Sequence, residues 1–280
     1  MFKEKYEKMG GSLTPVNLRR CIRVNTNKIL SDELVKRLKN RGIKLEKISF
    51  VDDGYYVNNS RFNLVSSPEY LLGHFYIQDA ASQIPAEQLN PKDVVLDAFA
   101  APGGKAIQLS YYADVMAIDN NPMRMKKLFN NVERMGINNL IAYTMDFKDL
   151  NQSFDYMLCD MPCSGNYTLE KNWTEKNTQE RIEQRSILQK TYLSHAISLL
   201  NDDGVLMYCT CSLEPEEDEF VIQYALENHK VCLEPINTIG DDGLTKIFGK
   251  KLDPSMSLCK RLWPFRTQTN GFFMARLRKC

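Results

Sequence analysis

The sequence predicts an α/β protein in which a doubly wound, mostly parallel sheet follows a small α+β lobe. Three observations carry this. From residue 92 onward, short apolar strands alternate with helical stretches, the pattern of successive βαβ units. Before that, residues 19–57 read in the order β-α-β-β. A length of 280 residues, with 43% apolar and 25% charged side chains, suits one large domain and a small one. It excludes a disordered or fibrous chain. The expected division is an N-terminal lobe over 1–75 and a larger domain over 76–280.

In the lobe, residues 19–27 (RRCIRVNTN) read as a strand. Residues 31–41 read as a helix capped by Ser31 and stopped by Gly42. Residues 45–51 and 54–57 read as strands turned by Asp53-Gly54. A linker is expected somewhere in 60–77. In the larger domain, strands are expected at 94–99, 114–119, 140–145, 154–160 and 204–210, with a last one at 271–277. The helix over 121–136 has Pro122 in its first turn and Gly136 at its stop. Two more helices are expected near 178–200 and 215–228.

The net charge of +1 hides a partition. Residues 1–50 carry 13 Lys+Arg against 5 Asp+Glu, and residues 244–280 carry 9 against 1. The stretch between them carries 14 against 29. Basic ends around an acidic middle suit a polyanion at the ends and a cationic ligand in the middle; solvated charged faces are the plain alternative. No stretch approaches the 18 apolar residues of a membrane span. The N-terminus lacks the apolar core of a secretory signal. The eight cysteines therefore read as reduced thiols in a cytoplasmic protein. No metal is expected, and a monomer is the default expectation.

In doubly wound sheets the ligand lies beyond the carboxyl ends of the strands. The first of these strands runs into Asp97-Ala98-Phe99-Ala100-Ala101-Pro102-Gly103-Gly104-Lys105, whose glycines allow close approach of a ligand to backbone. The next three end at Asp119, Asp146 and Asp160. An acid after the second strand suits the paired hydroxyls of a ribose. Any one of these acids could be a helix cap. Four together repel phosphates and suit a nucleoside with a cationic tail, and S-adenosyl-L-methionine has that chemistry. This speaks against a nicotinamide dinucleotide.

Two strand ends carry thiols, in Asp160-Met161-Pro162-Cys163-Ser164-Gly165 and Thr210-Cys211-Ser212. If the two strands are neighbours they lie about 4.8 Å apart, and Cys163 and Cys211 face one pocket. A thiolate suits addition to an electron-poor ring. Cytosine needs such an addition, because its carbon 5 becomes nucleophilic only after a thiolate adds at carbon 6. Cys159 and Cys209 read as structural thiols. A zinc site made of residues 159, 163, 209 and 211 is another reading, although the set contains no CxxC pair.

These residues resemble the Nop/Sun family of RNA cytosine-5 methyltransferases. The resemblance also covers Arg23-Val24-Asn25-Thr26, Gly73 to Asp79, Glu214-Pro215-Glu216-Glu217 and Thr269-Asn270-Gly271-Phe272-Phe273. It implies a Rossmann-like class I methyltransferase sheet and an RNA-recognition-like N-terminal lobe. It implies that Cys211 adds to carbon 6 and that Cys163 assists release. The turn from Phe99 to Lys105 would hold the cofactor with Asp119, Asp146, Asp160 and Arg124, and Asp160 would also reach the base. Phe99 stands where the family usually has Cys, and it faces the cofactor through its backbone. Arg266 stands where His is frequent, so that position is given no role. The chain's length resembles minimal archaeal members acting on tRNA; ribosomal RNA is the alternative. A DNA cytosine-5 methyltransferase, or an RNA-binding protein without activity, is a further rival. Glu214 and Asp160 are expected near Cys211, where they would raise its thiol pKa. The cofactor's sulfonium, or amide dipoles opening the 215–228 helix, would offset them.

Overall fold

The computed structural model describes residues 2–58 and 63–280. Its first sheet has strands β1 (Cys21–Val24), β2 (Lys44–Lys47), β3 (Gly54–Asn58) and β4 (Phe75–Ile77). They run antiparallel in the order β2-β3-β1-β4. Strand β4 occupies the stretch read as linker: Phe75 pairs with Val24 and is fully buried, so this segment completes the lobe. Residues 60–62 of that linker lie outside the described residues. The helix Ser31–Asn40 packs Leu34 and Leu38 against Ile22, Val24 and Tyr55. Its cap position falls on Leu30, and the Ser31 hydroxyl donates to Asp53 Oδ1 at 3.1 Å instead of capping. Strand β2 stops at Lys47 because Ile48 and Val51 turn inward and bury against the larger domain.

Among the described residues the second sheet has nine strands. Five are parallel: β5 (Val95–Asp97), β6 (Val115–Asp119), β7 (Leu140–Thr144), β8 (Phe154–Asp160) and β9 (Leu200–Thr210). Their order is β7-β6-β5-β8-β9, so the chain reverses direction across the sheet between β5 and β8. The last strand, Phe272–Lys279, lies antiparallel beside β9. It carries Lys260–Leu262 on its other side, with Asp241–Asp242 beyond, and Val231–Glu234 along its end. Successive residues of a strand alternate between faces. Leu158, Cys209 and Met274 enter one buried layer, whereas Met157, Cys159, Tyr208 and Phe273 enter the layer behind the sheet. Both faces are covered, which is why these strands read as unbroken apolar runs.

The helix Pro122–Met135 starts where Asn121 Oδ1 accepts from the amides of Met123 and Arg124, at 3.0 and 3.1 Å. It ends at Gly136, whose φ of 69° is the left-handed region. The helix expected from residue 215 begins at Glu219. The first helix, Phe2–Lys8, packs on the larger domain rather than on the first sheet. Phe2 meets Trp173 with ring centroids 4.8 Å apart, and Tyr6 meets Trp263 at 5.6 Å. Among the described residues no helix is long and apolar enough to cross a membrane.

Candidate active site

The sheet reversal opens a crevice at the carboxyl ends of β5 and β8, and the predicted residues other than Asp146 gather around it. A cavity of about 410 Å³ is lined by Phe99, Asp119, Arg124, Asp160, Cys163 and Cys211, among others. A second, of about 220 Å³, shares Phe99 and Asp160 and is lined by the turn Ala100–Pro102, Gly104, Lys105 and Asp97. Tyr76, Gln78 and Asp79 close it from the lobe side.

The turn takes its shape from backbone. Gly103 has φ of 107°, and a Cβ there would lie 3.3 Å from Leu128 Cγ, so a larger residue is both strained and crowded. Asp119 is buried at the end of β6. Its carboxylate accepts from the amides of Asn121 at 2.9 Å and Ala101 at 3.3 Å, and Arg124 pairs with it at 3.2 Å. Arg124 also donates to the Ala101 carbonyl, linking acid and turn. Lys105 donates to Asp160 Oδ2 at 2.8 Å. Burial works against the Lys105 charge, yet Asp160 and its neighbours push that amine's pKa up, so it stays cationic. The acidic rim expected from sequence is therefore partly neutralised by Arg124 and Lys105. Asp97 is fully enclosed; burial, and then the Asp160 charge, push its carboxyl up to about 7. Asp146 caps a short turn by accepting from the Lys148 amide at 3.0 Å. It is not among the residues lining either cavity.

The two thiols meet. Because β8 and β9 are adjacent and parallel, their following loops carry Cys163 Sγ to 3.2 Å from Cys211 Sγ. Both cysteines are free and half-buried. The hydrogen bond with Cys211, then burial, hold the Cys163 thiol well above its usual pKa. Cys159 and Cys209 are buried on opposite faces of the sheet, so the four-cysteine zinc arrangement has no common centre.

The supports of these loops were not visible in the sequence. Ser164 donates its amide and its hydroxyl to buried Glu217, at 3.0 and 2.6 Å. Asn166 donates to the Cys211 carbonyl at 2.7 Å, and Gln189 to the Pro162 carbonyl at 3.0 Å. Fully buried Arg261 donates to Asp218 at 3.0 Å, to Glu219 Oε1 at 3.0 Å and to the Leu213 carbonyl at 2.9 Å. Asp218 in turn accepts from the Thr210 hydroxyl at 2.7 Å, one residue before Cys211. Only a run of acids ahead of a helix hinted at this cluster. Two expectations are corrected. Glu214 points away from Cys211, accepting from the Tyr6 hydroxyl at 2.7 Å and pairing with Lys5. With the helix starting at Glu219, its first amides are not beside Cys211 in the chain. Arg266, left without a role, pairs with Asp241 and donates to the Gly10 carbonyl at 3.0 Å.

The family model described as 16S rRNA methyltransferase RsmB/F matches residues 86–278. That of the N-terminal domain of 16S rRNA methyltransferase RsmF matches residues 1–80. A 28S rRNA (cytosine-C(5))-methyltransferase of Mus musculus is 34% identical over 92% of this chain and 35% of its own length. Ribosomal RNA small subunit methyltransferase F of Vibrio parahaemolyticus is 32% identical over 94% of this chain and 57% of its own. The chain thus spans about a third to three-fifths of these relatives. A crystal structure of a methyltransferase homologue from Pyrococcus horikoshii superposes with a TM-score of 0.87 at 37% identity, covering 98% of this chain and 89% of that one.

Proposed function

The chain belongs to the 16S rRNA methyltransferase RsmB/F family, and from that premise we propose that it methylates carbon 5 of cytosine in RNA, using S-adenosyl-L-methionine. The observation that carries the chemistry is the pair of free thiols 3.2 Å apart, both lining the larger of these two cavities. The crevice fits the cofactor. Asp119, enclosed at the end of β6, suits a ribose diol, and the bare backbone of the turn allows close approach. Asp97, a buried acid whose two oxygens lack partners, and Asp160 suit a cationic tail. When bound, S-adenosyl-L-methionine supplies the methyl group.

The chain's own residues do the rest. Cys211 Sγ adds to carbon 6, which makes carbon 5 nucleophilic. After methylation the carbon 5 proton must leave and the bond from carbon 6 to sulfur must break. The Cys163 thiol is held well above its usual pKa by the hydrogen bond with Cys211 and then by burial. A proton held on Cys163 in this way suits a group that assists release, while the order of the two motifs in the chain assigns the attack to Cys211. Asp160 lines both cavities and is paired with Lys105 in the smaller one, so it can orient the base.

RNA would lie along the basic ends of the chain. A groove of about 600 Å³ is lined by Arg19, Glu46, Lys47 and Tyr56 from the lobe and by Asp241, Arg266 and Gln268 from the C-terminal part, with Arg19 paired to Glu46 and Arg266 to Asp241. Lys47 and exposed Arg20 of the lobe would then supply the positive charge beside this groove that is unpaired among the described residues. The relatives' names favour ribosomal RNA as substrate, and the tRNA expected from chain length is the competing reading. Bisulfite sequencing of total RNA from a deletion strain decides between them.

The two single variants test the thiol roles. Cys211→Ala is expected to give no product and no covalent complex. Cys163→Ala is expected to add and methylate without release, leaving protein crosslinked to RNA on a denaturing gel. The reverse pattern would overturn the assignment.

A further inference from the structure

We propose that Cys163 and Cys211 are also a reversible oxidation site, closing into a disulfide when the protein meets a small disulfide such as oxidised glutathione. Three features carry this. The sulfurs are already in contact at 3.2 Å, so forming a bond of about 2.05 Å requires them to close by only about 1 Å. Both thiols are half-buried and line the larger cavity, so a small disulfide can reach them from solvent. Both sit on loops rather than mid-strand, whereas Cys159 and Cys209 are fully buried and face opposite layers.

The step balances as thiol–disulfide exchange. One cysteine thiolate attacks a sulfur of oxidised glutathione, forming a mixed disulfide and expelling one glutathione thiolate. The other cysteine, as thiolate, attacks the protein sulfur of that mixed disulfide and expels the second. The protein loses two thiol hydrogens and two molecules of reduced glutathione form. Because the second attack is intramolecular and between touching atoms, the mixed disulfide is expected to be short-lived. Because the thiol–thiol hydrogen bond raises the Cys163 pKa, less thiolate is present near neutrality and the exchange should speed up as pH rises.

A disulfide removes the Cys211 nucleophile and the Cys163 thiol together. The consequence for activity rests on the function proposed above; the disulfide itself does not. The fold carries a second thiol pair, Cys232 and Cys280, on neighbouring exposed strand ends beside Arg278. These would blur a thiol count, and both can be replaced without touching the crevice.

The test uses the full chain carrying Cys232→Ser and Cys280→Ser, incubated with oxidised glutathione. Thiol titration under denaturing conditions and peptide mass spectrometry read the linkage, and RNA methylation is followed in parallel. The expected result is a loss of two thiols, a 163–211 linked peptide, and methylation falling in proportion to the closed fraction. Dithiothreitol should restore both. Retention of all thiols, or glutathione on single cysteines with no linked peptide, overturns the proposal. A linked peptide in a protein whose reduced form never methylates RNA would uphold the disulfide and defeat the proposed function instead.

Discussion

Replacing Arg261 with methionine is the most informative perturbation of the thiol loop. The guanidinium is fully buried and holds Asp218, Glu219 and the Leu213 carbonyl. Methionine preserves much of the volume but leaves two buried carboxylates without their cation. Breaking a buried pair from one side costs about 3–5 kcal/mol. At about 2 °C or more per kcal/mol for a chain of this size, melting should fall by at least roughly 6 °C near pH 8. The loss should depend on pH. Burial already holds Asp218 well above the usual carboxylate range, with Arg261 as the main opposing influence. Removing Arg261 raises it further. A carboxyl raised in the folded state is stable while protonated and loses that stability as pH rises through its folded value. The variant should therefore lose less at pH 5 than at pH 8, as read by thermal melts across pH. Adding Asp218→Asn and Glu219→Gln should recover much of the loss, because no uncompensated charge remains. A shift under roughly 2 °C at pH 8, or one independent of pH, would refute the reasoning and mean that water reaches the cluster.

Three further outcomes are expected. Asp119→Ala should weaken S-adenosylhomocysteine binding by about 2–4 kcal/mol through lost charge-assisted hydrogen bonds; unchanged affinity in calorimetry would remove the acid from the cofactor site. Arg20→Glu should lower RNA affinity and flatten its salt dependence more than Arg37→Glu, because both are exposed but Arg37 is already paired with Glu33, whereas Arg20 has no ion pair among the described residues. Equal slopes in the two salt titrations would show that pairing does not matter there. Asp97→Asn should stabilise the ligand-free protein. Asp97 ionises at about 7 when folded and near 3.9 when unfolded, so its carboxyl erodes stability as pH rises between the two. The gain should approach roughly 4 kcal/mol above pH 7 and vanish near pH 4, which urea titrations at both pH values can check.

Periodicity and strand-end chemistry made the catalytic half of the molecule legible from sequence. Apolar runs such as VVLDAF and FDYMLCD mark strands buried on both faces, and alternation with helices dictates parallel pairing. Once those strands are in one sheet, the residue after each strand is fixed at one edge of it. Asp119, Asp160, Cys163 and Cys211 could therefore be named from local pattern alone. What local pattern does not encode is long-range pairing. Strand β4 is only three residues long and is a strand because Phe75 finds Val24 some fifty residues earlier. Ile48 and Val51 break a plausible strand because burial against another domain outweighs continued pairing. The charges show the same limit. Sequence counts the acids around the crevice, but a carboxylate's partner depends on which side chain the fold brings within 3 Å. Tertiary structure alone sends Glu214 to Tyr6 and Lys5, Glu217 to Ser164, and Asp218 to Arg261. Their energies depend on distance and dielectric, and both are set only when the chain has closed around them.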